Sequence, residues 1–247
     1  MDWSEDFNRE TLCRTSDICF CTSDKLLKAM RKYNQYTYNI GHGYAPSEYE
    51  LNPEEKKEVG NKFQIKAGYI GNMNSKYLDW ETFYLLASKN PEIGFFFIGP
   101  KGMSNLSGIE FNEPLLTKLE KLDNTFFLGE KPAYKIPSYL KEFDILLLIY
   151  KAKKYKEQVA NPHKLLEYFG SGKIVLASWT EEYRDKNDLI EMVPSNDDLP
   201  TTFTKVMNNI KFHNQNDKQL KRKKFAMDNS YEKKIHVIEN LINEFIL

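Results

Sequence analysis

The segment NPHKLLEYFGSGK, residues 161–173, holds the side chains whose types and spacing could do chemistry, and the apolar run IVLAS follows it directly. Asn161 reads as a helix cap, Pro162 as the first helical position and Gly172 as the stop, so a helix is expected over about 162–170. A helix that begins at the carboxyl end of a parallel strand aims its N–H groups at the crevice where open α/β sheets bind ligands. That arrangement suits a diphosphate. Lys164, in the first turn, adds positive charge, and Glu167, three residues on along the same face, can accept two hydrogen bonds from a ribose diol. The same two residues would also serve as an exposed ion pair on any capped helix.

Other chemically suggestive stretches fail on context. Gly170-Ser171-Gly172-Lys173 has the look of a phosphate-loop ending, but Glu167 occupies the earlier glycine position, Ile174 follows, and the stretch ends a helix instead of starting one. No Gly-x-Gly-x-x-Gly follows a β-rich run, which disfavours nicotinamide and flavin binding. His42, His163, His213 and His236 are scattered without ligand spacing, and no Ser-His-Asp or Cys-His arrangement emerges, so no metal and no triad are expected. Cys13, Cys19 and Cys21 crowd together with no downstream pair and read as reduced thiols. Lys151, Lys153, Lys154 and Lys156 form a basic loop before the helix, either a solvated face or an attractor for an anionic donor or lipid phosphate. The basic run 221–224 reads as a solvated helix face.

Such a site needs a sheet beneath it. Short β-rich runs alternate with longer amphipathic stretches almost throughout, the pattern of helices covering both faces of a parallel sheet, so the expected class is α/β and Rossmann-like. A first unit has a strand at 18–22, a helix over about 23–33 capped by Ser23, and an extended piece at 36–40 leading into Gly41-His42-Gly43. It is too small to bury its own sheet. Pro46, Pro53 and the charged run 54–58 mark a linker with room for a helical turn. Apolar runs at 67–71, 95–99, 125–128, 145–149 and 174–177 then read as five parallel strands. Between them fall a helix with Trp80, Phe83, Tyr84 and Ala87 at core spacing, a glycine-containing loop, a helix near 114–121 and another across 136–143. The tail, 217–247, has a helical period with few breakers and is expected to pack across a neighbouring domain.

The 161–173 segment, with Phe127-Leu128-Gly129, Pro137-Ser138-Tyr139-Leu140 and Phe143-Asp144-Ile145-Leu146, resembles the donor-binding domain of the family-four (group 1) glycosyltransferases, which have the GT-B fold. Tyr69-Ile70-Gly71-Asn72 is similar to the first strand and glycine loop of that domain, and Phe97-Ile98-Gly99-Pro100 to its second strand. Residues 17–23 and His42-Gly43 resemble the end of the partner domain and the junction. The resemblance implies an acceptor-side remnant at 1–45, a linker at 46–62, a nucleotide-sugar-binding domain at 63–215 and a C-terminal helix at 216–247 packing back on the N-terminal part. It further implies that Glu167 binds the ribose, that the backbone from Asn161 through Pro162 and His163 to Lys164 holds the diphosphate, and that Lys164 aids the leaving group. Gly129, Glu130 and Lys131 would line the base site, Gly71 and Asn72 would approach the phosphates or sugar, and His42 would stand near the sugar.

Three departures qualify the pattern. Val159 stands where the family's Glu-x7-Glu pair has its first acid, and Glu157 is out of register. Asn72 follows the first glycine loop where a basic residue often does, with Lys76 nearby. A full enzyme would need about another hundred residues ahead of Ile18 for a second domain.

Lys plus Arg equals Asp plus Glu at 35 each, so no net field favours nucleic acid, and membrane association is expected to be peripheral at most. The first ten residues, MDWSEDFNRE, lack the form of a leader, and no run approaches the roughly 18 apolar residues of a membrane span, which points to the cytoplasm. The expectation is a retaining transfer of sugar from a nucleoside diphosphate donor to a glycan or lipid-linked acceptor, without cofactor or metal. Two alternatives stand beside it: a non-catalytic nucleotide-sugar-binding subunit working with a separate acceptor-domain protein, and an interaction protein that self-associates through its tail helix and residues 11–43.

Overall fold

In the chain's computed structural model, residues 8–60, 62–101 and 114–246 are described. The loop expected after Gly99 falls largely in 102–113, and the acidic start in 1–7, outside the described residues.

The first unit consists of α1 (Arg9–Thr15), β1 (Cys19–Cys21), α2 (Asp24–Met30) and β2 (Thr37–Asn39). The two strands pair in parallel, Cys19 opposite Thr37. Ser23 Oγ accepts the Leu26 N–H at 3.2 Å, so the cap read from the sequence forms. Cys13, Cys19, Cys21, Leu26 and Met30 make a small core of their own, and all three thiols are unbridged.

In the stretch expected to be a linker the chain folds into α3 (Pro53–Val59), opened by a reciprocal capping box between Asn52 and Glu55. Glu55 also takes Lys135 Nζ at 2.6 Å and Tyr49 Oη at 2.7 Å. The lysine, the Asn52 amide and the phenol together hold its carboxyl down to about 2. Leu51 and Val59 join the main core, so the helical turn allowed for in this stretch is a helix docked on the main domain.

The main domain runs β3 (Ile65–Ile70), α4 (Trp80–Lys89), β4 (Ile93–Ile98), α5 (Pro114–Leu119), β5 (Thr125–Phe127), α6 (Ile136–Lys141), β6 (Ile145–Leu148), α7 (Lys164–Ser171), β7 (Ile174–Ser178), β8 (Ile190–Val193), α8 (Leu199–Asn208), α9 (Ile210–His213), α10 (Asn216–Asp228) and α11 (Tyr231–Ile246). Its six strands are parallel in the order β5-β4-β3-β6-β7-β8. Strands such as IGFFFI and ILLL are apolar without alternation because helices bury them on both faces. The strand order reverses between β3 and β6, and the crevice at their carboxyl ends is where such sheets take ligands.

All five expected strands form, one more follows them, and two other expectations are corrected. The sheet has a sixth strand, β8, whose IEMV sequence carries a charge because an edge strand needs to bury only part of itself. The tail is two helices, not one. Tyr44 inserts at the break, donating its N–H to Asn229 O at 2.8 Å and accepting the Tyr231 N–H at 3.0 Å. The basic run is not wholly solvated either: Lys221 and Lys224 pair with Asp188 and Asp228, but Arg222 is 2% exposed and donates to the carbonyls of Leu189, Gly172 and His213.

α10 lies along α7, while α11 turns back to the first unit, where Phe245 meets the Tyr36 ring edge-on at 4.8 Å. Among the described residues no helix is long and apolar enough to cross a membrane.

Candidate functional site

α7 starts at Lys164, later than the sequence suggests, and Asn161 is not its cap. The Asn161 side-chain amide instead donates to Thr22 O, because the first unit lies against this corner of the sheet. The turn ahead of the helix is tightened, with Leu165 N–H donating to Pro162 O and Leu166 N–H to His163 O, both at 3.1 Å. Gly172, at φ +82°, ends the helix in the left-handed region, as its position in the sequence implies.

The entrance of α7 faces the loop that leaves β3. Gly71, the first residue of that loop, has φ +149° and donates its N–H to Ile98 O at 2.8 Å. A Cβ at this position would collide with Lys164 Cε and stand 3.0 Å from Lys164 Nζ and 2.8 Å from Tyr69 Oη. The absence of a side chain therefore lets the lysine ammonium lie directly over the strand end. Glu167 follows one turn later. Burial pushes its carboxyl up and the Lys164 ammonium down, and each charge partly offsets the other's shift. The pair is thus a desolvated cation and anion at the switch point, poised for a polar ligand with complementary groups.

The first unit completes one wall. His42 Nε2 lies 2.9 Å from Asn161 O, which can only accept and so places the ring proton on that nitrogen. His42 and His163 rings meet edge-on at 5.9 Å. Tyr44, buried beside Glu167, packs over Gly170, where a Cβ would strike its ring.

Of the residues singled out from the sequence, the fold gathers His42, Asn161, Pro162, His163, Lys164, Glu167 and Gly71 at this corner. Asn72 follows Gly71, but its side-chain oxygen accepts the Asn74 N–H at 2.8 Å and closes a local turn. Gly129, Glu130 and Lys131 lie beyond β5, two strands across. Gly99 N–H donates to Gly129 O at 2.9 Å, so Gly71, Gly99 and Gly129 follow one another along the carboxyl edge of the sheet. Glu130 is exposed, whereas Lys131 turns to α3, pairing with Glu58 at 2.7 Å. Val159 is buried, and Glu157 pairs with Lys25 of the first unit at 2.7 Å.

Sequence reasoning missed the tyrosines beneath and beside the pair, Tyr44, Tyr69 and Tyr168. All three are buried in the core, and only the fold brings Tyr69 beside Gly71, Tyr168 to Ile70 and Tyr44 beside Glu167.

The six-stranded parallel sheet with helices on both faces matches in fold a part of solved GT-B glycosyltransferase structures. Anabaena Alr3699/HepE in complex with UDP-glucose superposes with a TM-score of 0.72 at 12% identity, covering 94% of this chain and 65% of that one. Sucrose-phosphate synthase from Thermosynechococcus elongatus gives 0.72 at 12%, covering 96% and 60%. TarM gives 0.63 at 12%, covering 95% and 45%. In sequence, the chain is 26% identical over 176 residues to "Putative teichuronic acid biosynthesis glycosyltransferase TuaH" of Bacillus subtilis (strain 168). That match spans 68% of this chain and 41% of the relative, so the matched segment covers less than half of that protein. No protein-family model matches.

Proposed function

We propose that the chain is the donor-binding half of a glycosyltransferase and takes a nucleoside diphosphate sugar, with UDP as the carrier. The observation that supports this reading is the Lys164 ammonium over Gly71 with Glu167 one turn behind it, at the switch point of the sheet. HepE forms complexes with UDP-glucose and with UDP, which favours a uridine donor here.

In this reading Glu167 accepts both ribose hydroxyls, while Lys164 and the entrance of α7 face the diphosphate. The reaction breaks the bond between the anomeric carbon and the diphosphate oxygen and forms one from that carbon to an acceptor hydroxyl oxygen, whose proton passes to the departing diphosphate; negative charge grows on the leaving oxygen as the first bond lengthens. Lys164, already in place, stabilises it without reorganisation. His42 stands beside the sugar. The transfer retains anomeric configuration, requires no metal, and delivers a hexose to a glycan or lipid-linked acceptor in the cytoplasm. Gly129 and Glu130 bound the base, and an acceptor-side domain closes over the site.

Buried Val159 favours a second reading, a nucleotide-sugar-binding subunit without catalysis of its own. Transfer or hydrolysis of a UDP-sugar by the isolated chain would count against it.

Calorimetric titration with UDP and GDP tests the site. UDP is expected to bind more tightly than GDP, and Glu167→Ala to weaken UDP roughly 10- to 100-fold through loss of charged hydrogen bonds. Equal UDP binding by both proteins would remove Glu167 from the site.

A further inference from the structure

β3 pairs with β4 along all six of its residues, but with β6 only at Ala67 opposite Ile145 and Gly68 opposite Leu146. Beyond Gly68 the two central strands part, and the last turn of β3 loses its ladder on that side. A main-chain donor left without a partner in a buried gap costs about 1 to 3 kcal/mol. The gap is filled from α7. Tyr168, fully buried, accepts the Ile70 N–H on its hydroxyl at 2.9 Å, and its own proton lies between Leu147 O at 3.4 Å and Ile70 O at 3.5 Å.

One hydroxyl thereby touches three parts of the crevice. Ile70 precedes Gly71, Leu147 lies near the end of β6, and Tyr168 itself follows Glu167 on the helix that begins with Lys164. A helix packed on a sheet by apolar contacts alone can slide by fractions of an ångström, since such contacts are non-directional. A hydrogen bond to a fixed amide removes that freedom. We infer that Tyr168 is a positioning residue: its hydroxyl wedges the two central strands apart and locks the register of α7 to Gly71, which sets the spacing between the Lys164 ammonium and the strand end where the second phosphate sits. This inference rests on the proposed donor site and adds to it the element that sets the site's width.

The test compares UDP with UMP on wild-type protein and on Tyr168→Phe, an isosteric change that removes only the hydroxyl. The expected result is about a tenfold loss of UDP affinity, with UMP affinity changed by less than twofold. A merely structural role would lower the melting temperature and leave the UDP-to-UMP ratio where it was, which would overturn the inference. Wild-type protein that binds neither nucleotide would overturn the donor-site reading and this inference with it. Amide hydrogen exchange on wild-type protein supplies a measurement that does not depend on the variant folding: UDP should slow exchange at the Ile70 amide. Unchanged exchange at Ile70 under saturating UDP would overturn the inference.

Discussion

At the scale of the residue, the site consists of two opposite, partly buried charges. Burial pushes the Glu167 carboxyl above its ordinary value of 4.5 and the Lys164 ammonium below its ordinary 10.5. UDP binding in the proposed site needs the carboxylate ionised and the lysine protonated. Affinity should therefore form a bell in pH whose acid limb lies above the usual carboxylate range and whose alkaline limb lies below the usual lysine range. The stability of the ligand-free protein responds in the opposite sense on the acid side. Because the folded state binds the Glu167 proton more tightly than the unfolded chain does, this group's contribution to stability is greatest at low pH and falls as pH rises through its raised value. Calorimetry across pH, paired with thermal melts of the free protein, checks both slopes. An acid limb at the ordinary carboxylate value would refute the desolvation account, and in Glu167→Gln the acid limb should vanish.

At the scale of the element, α7 is held at both ends and along its side. Tyr168 fixes its face to β3, and at its far end Arg222 of α10 donates to the Gly172 carbonyl as well as to Leu189 and His213. Burial lowers the guanidinium to about 10, so it is still charged at neutral pH and serves three acceptors at once. Arg222→Leu keeps bulk but leaves those carbonyls without their donor. A loss of about 2 to 4 kcal/mol is expected, read as a fall in denaturant midpoint. A midpoint unchanged from wild type would show that water or a shifted side chain satisfies the carbonyls. The helix caps behave differently: Ser23 and Asn52 act through their immediate neighbours, so their roles follow from sequence spacing alone.

At the scale of the whole molecule, the first unit depends on the last helix. Its parallel pair of strands encloses a core of five small or medium residues, too little apolar area for independent stability. Support comes from α11, through Phe245 on Tyr36 and through Tyr231, which lies where a side chain on Gly43 would be. Tyr44, paired with Asn229 and Tyr231, ties the same corner to Glu167. Truncation after Ser230 should therefore increase amide exchange in β1 and β2 and weaken UDP binding, while exchange in β4 and β6 stays slow. Protection of β1 and β2 equal to that in the full chain would show that the first unit stands without α11.

The sequence by itself determined what depends on local pattern. The apolar runs without alternation made β3, β4, β5, β6 and β7 legible, the Ser23 cap and the Gly172 stop were readable as single positions, and the Lys164 to Glu167 spacing put both charges on one helical face. Only the tertiary structure decided what depends on residues far apart in the chain. Thr22 takes the amide of Asn161 and shifts the start of α7, Lys131 turns to Glu58, Tyr44 splits the tail, and Tyr168 reaches Ile70. These polar groups had several partners open to them in the unfolded chain. Each found its own because packing left an unsatisfied donor or acceptor within reach, and no short-range pattern encodes that.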